Sequence, residues 1–416
     1  MRVATLIACC VLVAGCSRIG GGAALPSGSS DGTQAAAHSP DASGYITLYS
    51  FKGQDAGGEP QDGLINVKGT LYGTTSSYGS GYGTVFAISP FGKLRILHEF
   101  TGTSSDGAYP AAGLTWYNNL LYGTTSAGGA HGGGTIFTVT TGGAERIIHS
   151  FGAAGDGSEP ESRLAQVAGL LYGTTLNGGS HGRGIVYEIT ASGQEHVLHS
   201  FAGAPNDGGH PSAGLIRVGD WLYGTTRAGG KVKNGGSVFK MSPTGETKIV
   251  HAFGFARGDG ENPAGTLIYY NGLLYGTTLH GGTIGRGLGT VFEMTTAGSE
   301  IVIHSFGAGT DGAFPAANLI QAKGELYGTT TGGGDSPHHS NQCISSGVVR
   351  DAGYYRCGTI FRIDRFGAEH IVYRFAGDPD GANPESGLTD AGGVLYGTTF
   401  WGGQYDYYGT VFRLLP

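Results

Sequence analysis

The sequence predicts an all-β fold, a seven-bladed β-propeller with four-stranded blades. Three observations predict it. The pentapeptide Leu-Tyr-Gly-Thr-Thr occurs seven times, starting at Leu71, Leu121, Leu171, Leu222, Leu274, Leu326 and Leu395. The successive spacings are 50, 50, 51, 52, 52 and 69 residues, the period of a propeller blade with one insertion in the last gap. The two chain ends are complementary: YITLYSF (45–51) repeats the fourth strand of a unit, whereas the last unit stops after its third strand, GTVFRLLP (409–416). Pairing the two ends gives seven complete blades and leaves no open edge.

Composition agrees. Of 416 residues 82 are glycine, and 13% are charged, about half the usual share of roughly 25%. No collagen period accompanies the glycine, and Leu, Ile, Val, Phe and Tyr recur in short runs, so a turn-dense β protein is expected rather than disorder. The net charge of -7 disfavours a nucleic-acid partner, which needs a basic face.

The N-terminus, MRVATLIACCVLVAGCSR, has Arg2 followed by an apolar run too short to span a bilayer, so residues 1–15 read as a secretory signal. Val13-Ala14-Gly15-Cys16 resembles the bacterial lipobox, which implies lipidation of Cys16. Ser17 follows instead of aspartate, which for such signals implies outer-membrane sorting. Residues 16–44 lack an apolar period and read as a flexible tether carrying the lipidated cysteine.

Residues 45–416 hold the propeller. One unit reads as strand A (112–117), strand B (120–126), strand C (134–139) and strand D (146–151), followed by D-G-x-x-P. The A–B turns are Asn271-Gly272, Lys68-Gly69, Ala168-Gly169 and Lys323-Gly324, sequences suited to hairpin turns with positive φ. The insertion at 331–357 contains Cys343 and Cys357. In a secreted setting these are expected to be bonded, closing a loop of about fifteen residues worth about 3 kcal/mol.

The double glycine after strand B resembles kelch repeats, but the spaced Tyr and Trp of kelch blades are missing. The pattern L-Y-G-T-T-x-x-G-G…G-T-V-F…L-H-S-F-x-G…D-G-x-x-P more closely resembles the bacterial GloVer tandem-repeat, choice-of-anchor proteins. That resemblance implies a secreted or surface-anchored propeller and no particular activity.

The repeated polar residues read as scaffold. Asp106, Asp156, Asp207, Asp259, Asp311 and Asp380 head the D-G-x-x-P loops, with Asp55 shifted by one. One Asp per loop suits turn chemistry better than calcium, which needs several converging oxygens. His98, His149, His199, His251 and His304 share one position of strand D, with Tyr49 and Tyr373 completing the set. They read as a packed ring whose members are too far apart to share one metal. Asp335, His338 and His339 in the insertion read no better, because adjacent histidines point apart on an extended chain. No metal site, cofactor or catalytic set is expected: phosphate-loop, nucleophile-elbow and zincin motifs are all missing.

The residues that break the repeat are more informative. Strand parity puts the D–A and B–C loops on one face. The B–C loops of blades 1, 6 and 7 carry Tyr78, Tyr82, Tyr354, Tyr355, Trp401, Tyr405, Tyr407 and Tyr408. Those blades are consecutive in a closed ring, so the rings form one aromatic sector, as a sugar- or peptide-binding surface would. The corresponding loops of blades 3 to 5 carry Arg183, Arg227, Lys231, Lys233 and Arg286 instead. The expected protein is a monomeric, lipid-anchored envelope propeller that binds a glycan or an envelope protein without catalysis. A propeller lyase or glycosidase, and a spacer without a ligand, are the alternatives.

Overall fold

The structure is a computed structural model that describes residues 44–231, 235–283, 287–307, 310–334, 357–405 and 407–416. Seven four-stranded antiparallel blades follow one another in the order A-B-C-D. Blade 2 shows the plan: A is Thr115–Tyr117, B is Leu120–Thr125, C is Thr135–Val139 and D is Glu145–Ser150. Strand A is shorter than its sequence run suggests, because Ala112 and Leu114 pack as buried coil before it. A two-residue ladder, Gly107–Ala108 on Ala127–Gly128, ties the D–A loop to the B–C loop. Blade 7 closes the ring: Tyr45–Ser50 pairs with Thr410–Leu414, in the register Tyr45↔Leu414 to Ser50↔Thr410. The A–B turns of blades 1, 2, 3, 5 and 6 have positive φ at both central residues, as at Asn271 (49°) and Gly272 (88°), whereas blade 4 has it at Gly219 and not at Asp220. Two positive values make the mirror-image turn that matches strand twist.

The LYGTT repeat is explained by what each residue touches. Leu and Tyr are mostly buried between blades. The glycine exists because the aromatic ring of strand C crosses it: a Cβ on Gly73 would lie 2.7 Å from Phe86 Cζ and 2.8 Å from Leu64 Cδ2. The first threonine bonds to the next blade: Thr74, Thr174, Thr277 and Thr329 donate to Ala112, Ala213, Ala317 and Ser386 carbonyls at 3.2, 3.1, 3.0 and 2.9 Å. The second joins strands B and C, as in the 2.8 Å hydroxyl pair of Thr125 and Thr135.

Between blades, the phenylalanine ending each strand D meets the strand C aromatic of the following blade. Seven such pairs, Phe51–Phe86 through Phe375–Phe412, have centroids 5.0 to 5.4 Å apart. The core is therefore a circle of interlocked rings in which the N-terminal strand supplies one link. Every strand D also carries a bulge one residue before its His or Tyr, as at Ile148 between Ile147 and His149. A bulge re-aims the residue beside it, and here the re-aimed residue is the histidine.

Candidate functional site

The histidines and aspartates that the sequence presents as separate scaffold positions come together. His98 Nε2 lies 3.2 Å from Asp106 Oδ1, His149 Nε2 3.2 Å from Asp156 Oδ2, and His199 Nε2 3.1 Å from Asp207 Oδ2. The carboxylates also accept loop N–H groups: Asp106 takes those of Thr101 and Gly107 at 2.8 and 2.7 Å. A third member comes from the first residue of strand D in the following blade. The clusters are His98–Asp106–Glu145, His149–Asp156–Glu195, His251–Asp259–Glu300 and His304–Asp311–Glu369, with candidate ligand atoms within 4.8 Å of one another. Three convergent groups correct the expectation of a lone Asp per loop. The sequence hid this because the glutamate belongs to another blade. At the seam the same positions hold Tyr373 and Tyr45, stacked at 4.0 Å, and the Tyr45 hydroxyl donates to the Asp380 carbonyl at 3.1 Å.

These clusters have metal-ligand chemistry but recur at four of the seven blade junctions among the described residues, which suits latches. Burial, with the Asp106 charge adding, pushes Glu145 up to about 7, and burial likewise pushes Glu300 up to about 7. Both folded-state values exceed the ordinary 4.5, so the folded chain holds protons that the unfolded chain has released. Their contribution to stability is full below 4.5 and is lost as pH rises through about 7. Thermal melts should show the Tm falling across that interval. The double variant Glu145→Gln, Glu300→Gln should flatten the fall, and an unchanged slope would refute the assignment.

On the loop face the predicted aromatics divide. Tyr78 and Tyr408 pack edge to face at 4.7 Å, and Phe400 lies against Trp401 at 5.2 Å, so these four rings shape the surface. Tyr82, Tyr405 and Tyr407 stand out from it, at 37%, 39% and 43% exposure. Lys52 Nζ lies 5.3 Å from the Tyr405 ring. Tyr354, Tyr355, Cys343, Asp335, His338 and His339 lie outside the described residues, as do Lys233 and Arg286. Cys357 is described and buried.

Sequence reasoning missed Tyr109, which is 42% exposed and lies 5.7 Å from Tyr82, ring to ring. It occupies the residue before proline in D-G-x-x-P. That position is Glu59, Tyr109, Glu159, His210, Asn262, Phe314 and Asn383 in the seven copies, always with φ between 55° and 58°. A positive φ is uncommon for such side chains and costs energy. Its carbonyl accepts the N–H that follows LYGTT, as in Ser126 N to Tyr109 O at 3.1 Å. The motif thus presents a variable side chain on a constant, strained backbone.

Ser126 leads from Tyr109 into a cleft of about 450 Å³ between blades 2 and 3, also lined by His131, Ser158, Glu159 and Glu161. Burial pushes Glu161 up; Arg227 opposes the shift and Glu159 adds to it. Glu159 accepts from Asn177 Nδ2 at 2.8 Å. Tyrosine faces beside an acidic cleft offer flat apolar area and hydrogen-bond acceptors. Arg163 of blade 3 reaches back to blade 1 and donates to the Gly63 and Leu64 carbonyls at 3.3 and 3.4 Å.

The Gloeobacter/Verrucomicrobia repeat model matches residues 22–173 and 142–341. No match is found among curated proteins. Among solved structures, PorZ of Porphyromonas gingivalis, an essential bacterial surface component of the type-IX secretion system, is 14% identical with a TM-score of 0.50. The alignment covers 85% of this chain and 46% of PorZ. A gluconolactonase from Xanthomonas campestris is 16% identical, with a TM-score of 0.40 and coverage of 71% and 82%. A puromycin-hydrolysing peptidase of Mycobacterium tuberculosis is 11% identical, with a TM-score of 0.47 and coverage of 88% and 54%. At these identities the likeness to PorZ extends to the fold alone, and the other two carry no inference.

Proposed function

The chain belongs to the Gloeobacter/Verrucomicrobia repeat family, and from that premise we propose that it is an envelope lipoprotein whose propeller binds a glycan without catalysis. The observation that carries the reading is the set of exposed tyrosines on adjacent blades 7 and 1, Tyr405, Tyr407 and Tyr82, with Tyr109 next to Tyr82 and to Ser126 of the Glu159–Glu161 cleft. Pyranose rings stack on such faces, and their hydroxyls donate to carboxylates. Cys16 carries the lipid, residues 17–44 form the tether, and Cys343 bonds Cys357 in the insertion of blade 6. The head works as a monomer at the outer membrane.

A second reading, a polysaccharide lyase or glycosidase, rests on Glu161, a carboxyl group whose pKa is raised in a cleft. Against it, Glu159 and Glu161 flank one proline on one loop, whereas glycosidase carboxylates face each other across the scissile bond. The test is incubation with a panel of envelope polysaccharides, with binding measured and the polymers examined for new chain ends. Binding with intact polymer is expected. Cleavage that disappears in Glu161→Gln would establish the enzyme, and silence across the panel would leave a protein ligand or a spacer.

A further inference from the structure

In an antiparallel blade the C–D corner lies at the end of strand C away from the B–C loop. Four of these corners are small and polar: Thr140-Thr141-Gly142-Gly143, Thr190-Ala191-Ser192-Gly193, Ser242-Pro243-Thr244-Gly245 and Thr295-Thr296-Ala297-Gly298. The other three are not. Blade 1 has Ser89-Pro90-Phe91-Gly92 and blade 6 has Asp364-Arg365-Phe366-Gly367. At the corner of blade 7 strands C and D are not consecutive in sequence, and Leu415 donates its N–H to the Gly44 carbonyl. Phe91 is 93% exposed, Phe366 81% and Leu415 55%.

Phenylalanine at full exposure on a tight corner supports nothing in the fold, since four other corners manage without it. Blades 6, 7 and 1 are consecutive, so the three apolar corners share one arc. Cations accompany them: Lys93 is exposed beside Phe91, and the Arg365 guanidinium lies 4.8 Å from the Phe366 ring. Gly44 is also where the segment from Cys16 joins the propeller. Within the ring of seven, the arc that carries the two phenylalanines is the arc that receives the anchor.

We propose that Phe91, Leu415 and Phe366 dock onto the phospholipid surface in which the Cys16 lipid sits, holding the loop face toward the opposite side. This rests on the anchor proposed above. The chemistry is that of a monotopic contact: aromatic and aliphatic side chains enter the headgroup–acyl boundary while Lys93 and Arg365 meet anionic headgroups. The docked corners also convert a free tether into a fixed orientation, which directs the tyrosine sector away from the bilayer.

The test uses the full lipidated chain in vesicles of phosphatidylethanolamine and phosphatidylglycerol containing dibrominated phosphatidylcholine. Three variants, Phe91→Trp, Phe366→Trp and Ser192→Trp, place a fluorophore at two docking corners and one polar corner. Flotation of the vesicles and mass analysis of the Cys16 peptide report the anchor separately. Bromine quenching in the first two variants and none beyond wild type in Ser192→Trp is the expected result. Equal signals in all three, with the chain floating, would overturn docking and leave the anchor standing. A chain without lipid on Cys16 that fails to float would overturn both. In the unacylated Cys16→Ala chain, Phe91→Ser with Phe366→Ser should weaken residual vesicle binding at least about tenfold, because two apolar rings leave the boundary.

Discussion

Removal of residues 45–51 will abolish cooperative folding of the propeller. The segment is seven residues near the start of the head, yet it is the outer strand of blade 7 and one link of the aromatic circle. Without it Phe412 and Phe375 lose Tyr45, which is 6% exposed, and Phe86 loses Phe51, which is fully buried. Deleting one large buried aromatic costs about 3–5 kcal/mol, and whole domains are stable by only about 5–15 kcal/mol. The edge Thr410–Leu414 would also be left unpaired, an invitation to pair with another chain. Size-exclusion chromatography and thermal unfolding should show association and a broad, non-cooperative loss of structure. A peptide spanning residues 44–53 should restore a monomer with a single transition. A truncated chain that melts cooperatively as a monomer would contradict ring closure by this strand.

The second large effect lies within the repeat. Phe86→Ala empties a fully buried site between Gly73, Leu64 and Phe51 and should destabilise by about 3–5 kcal/mol. Gly73→Ala should also destabilise, by about 1–3 kcal/mol, because the new methyl group meets the Phe86 ring and Leu64. The two changes remove each other's cause: with Phe86 cut back, the methyl at position 73 has room. The double variant should therefore cost less than the sum, with a coupling of about 1 kcal/mol or more in denaturant titrations. Strict additivity would mean that the glycine serves backbone conformation rather than the crossing ring.

Much of this architecture could be read without coordinates. The strand at 45–51, which repeats a fourth strand ahead of the first full unit, pointed to blade number and closure, because a ring must balance its strands, and it pairs with Thr410–Leu414. The Asn271-Gly272 turn and its equivalents were legible because few residues tolerate their φ. The bulge before each histidine was not, since a skipped residue leaves an apolar run looking like any other. The His–Asp–Glu clusters escaped for a different reason: their members come from two blades, and local pattern carries no information on contacts between blades. Tyr109 and Glu159 escaped because they sit inside a regular motif. Their signal lay in one position before the proline of D-G-x-x-P that takes five residue types among seven copies. The aromatic sector was legible as composition, but its division into packed rings (Tyr78, Tyr408, Trp401) and presented rings (Tyr82, Tyr405, Tyr407) depends on packing against Gly53, Gly58 and Phe400.

That division supplies the most direct test of the central claim, that the presented tyrosines are the working surface. The measurement is a binding isotherm, for whichever envelope polysaccharide the chain retains, of the wild type against Tyr82→Ala with Tyr405→Ala, both melting normally. Each ring lost from a stacking surface should cost about 0.5–1.5 kcal/mol beyond its area, so the pair should weaken binding by about tenfold or more with the fold intact. Tyr269, 46% exposed on strand A of blade 5 and away from the sector, is the control, and Tyr269→Ala should leave the isotherm unchanged. If the double variant binds as tightly as the wild type, the tyrosine sector is not the binding surface and the functional account fails.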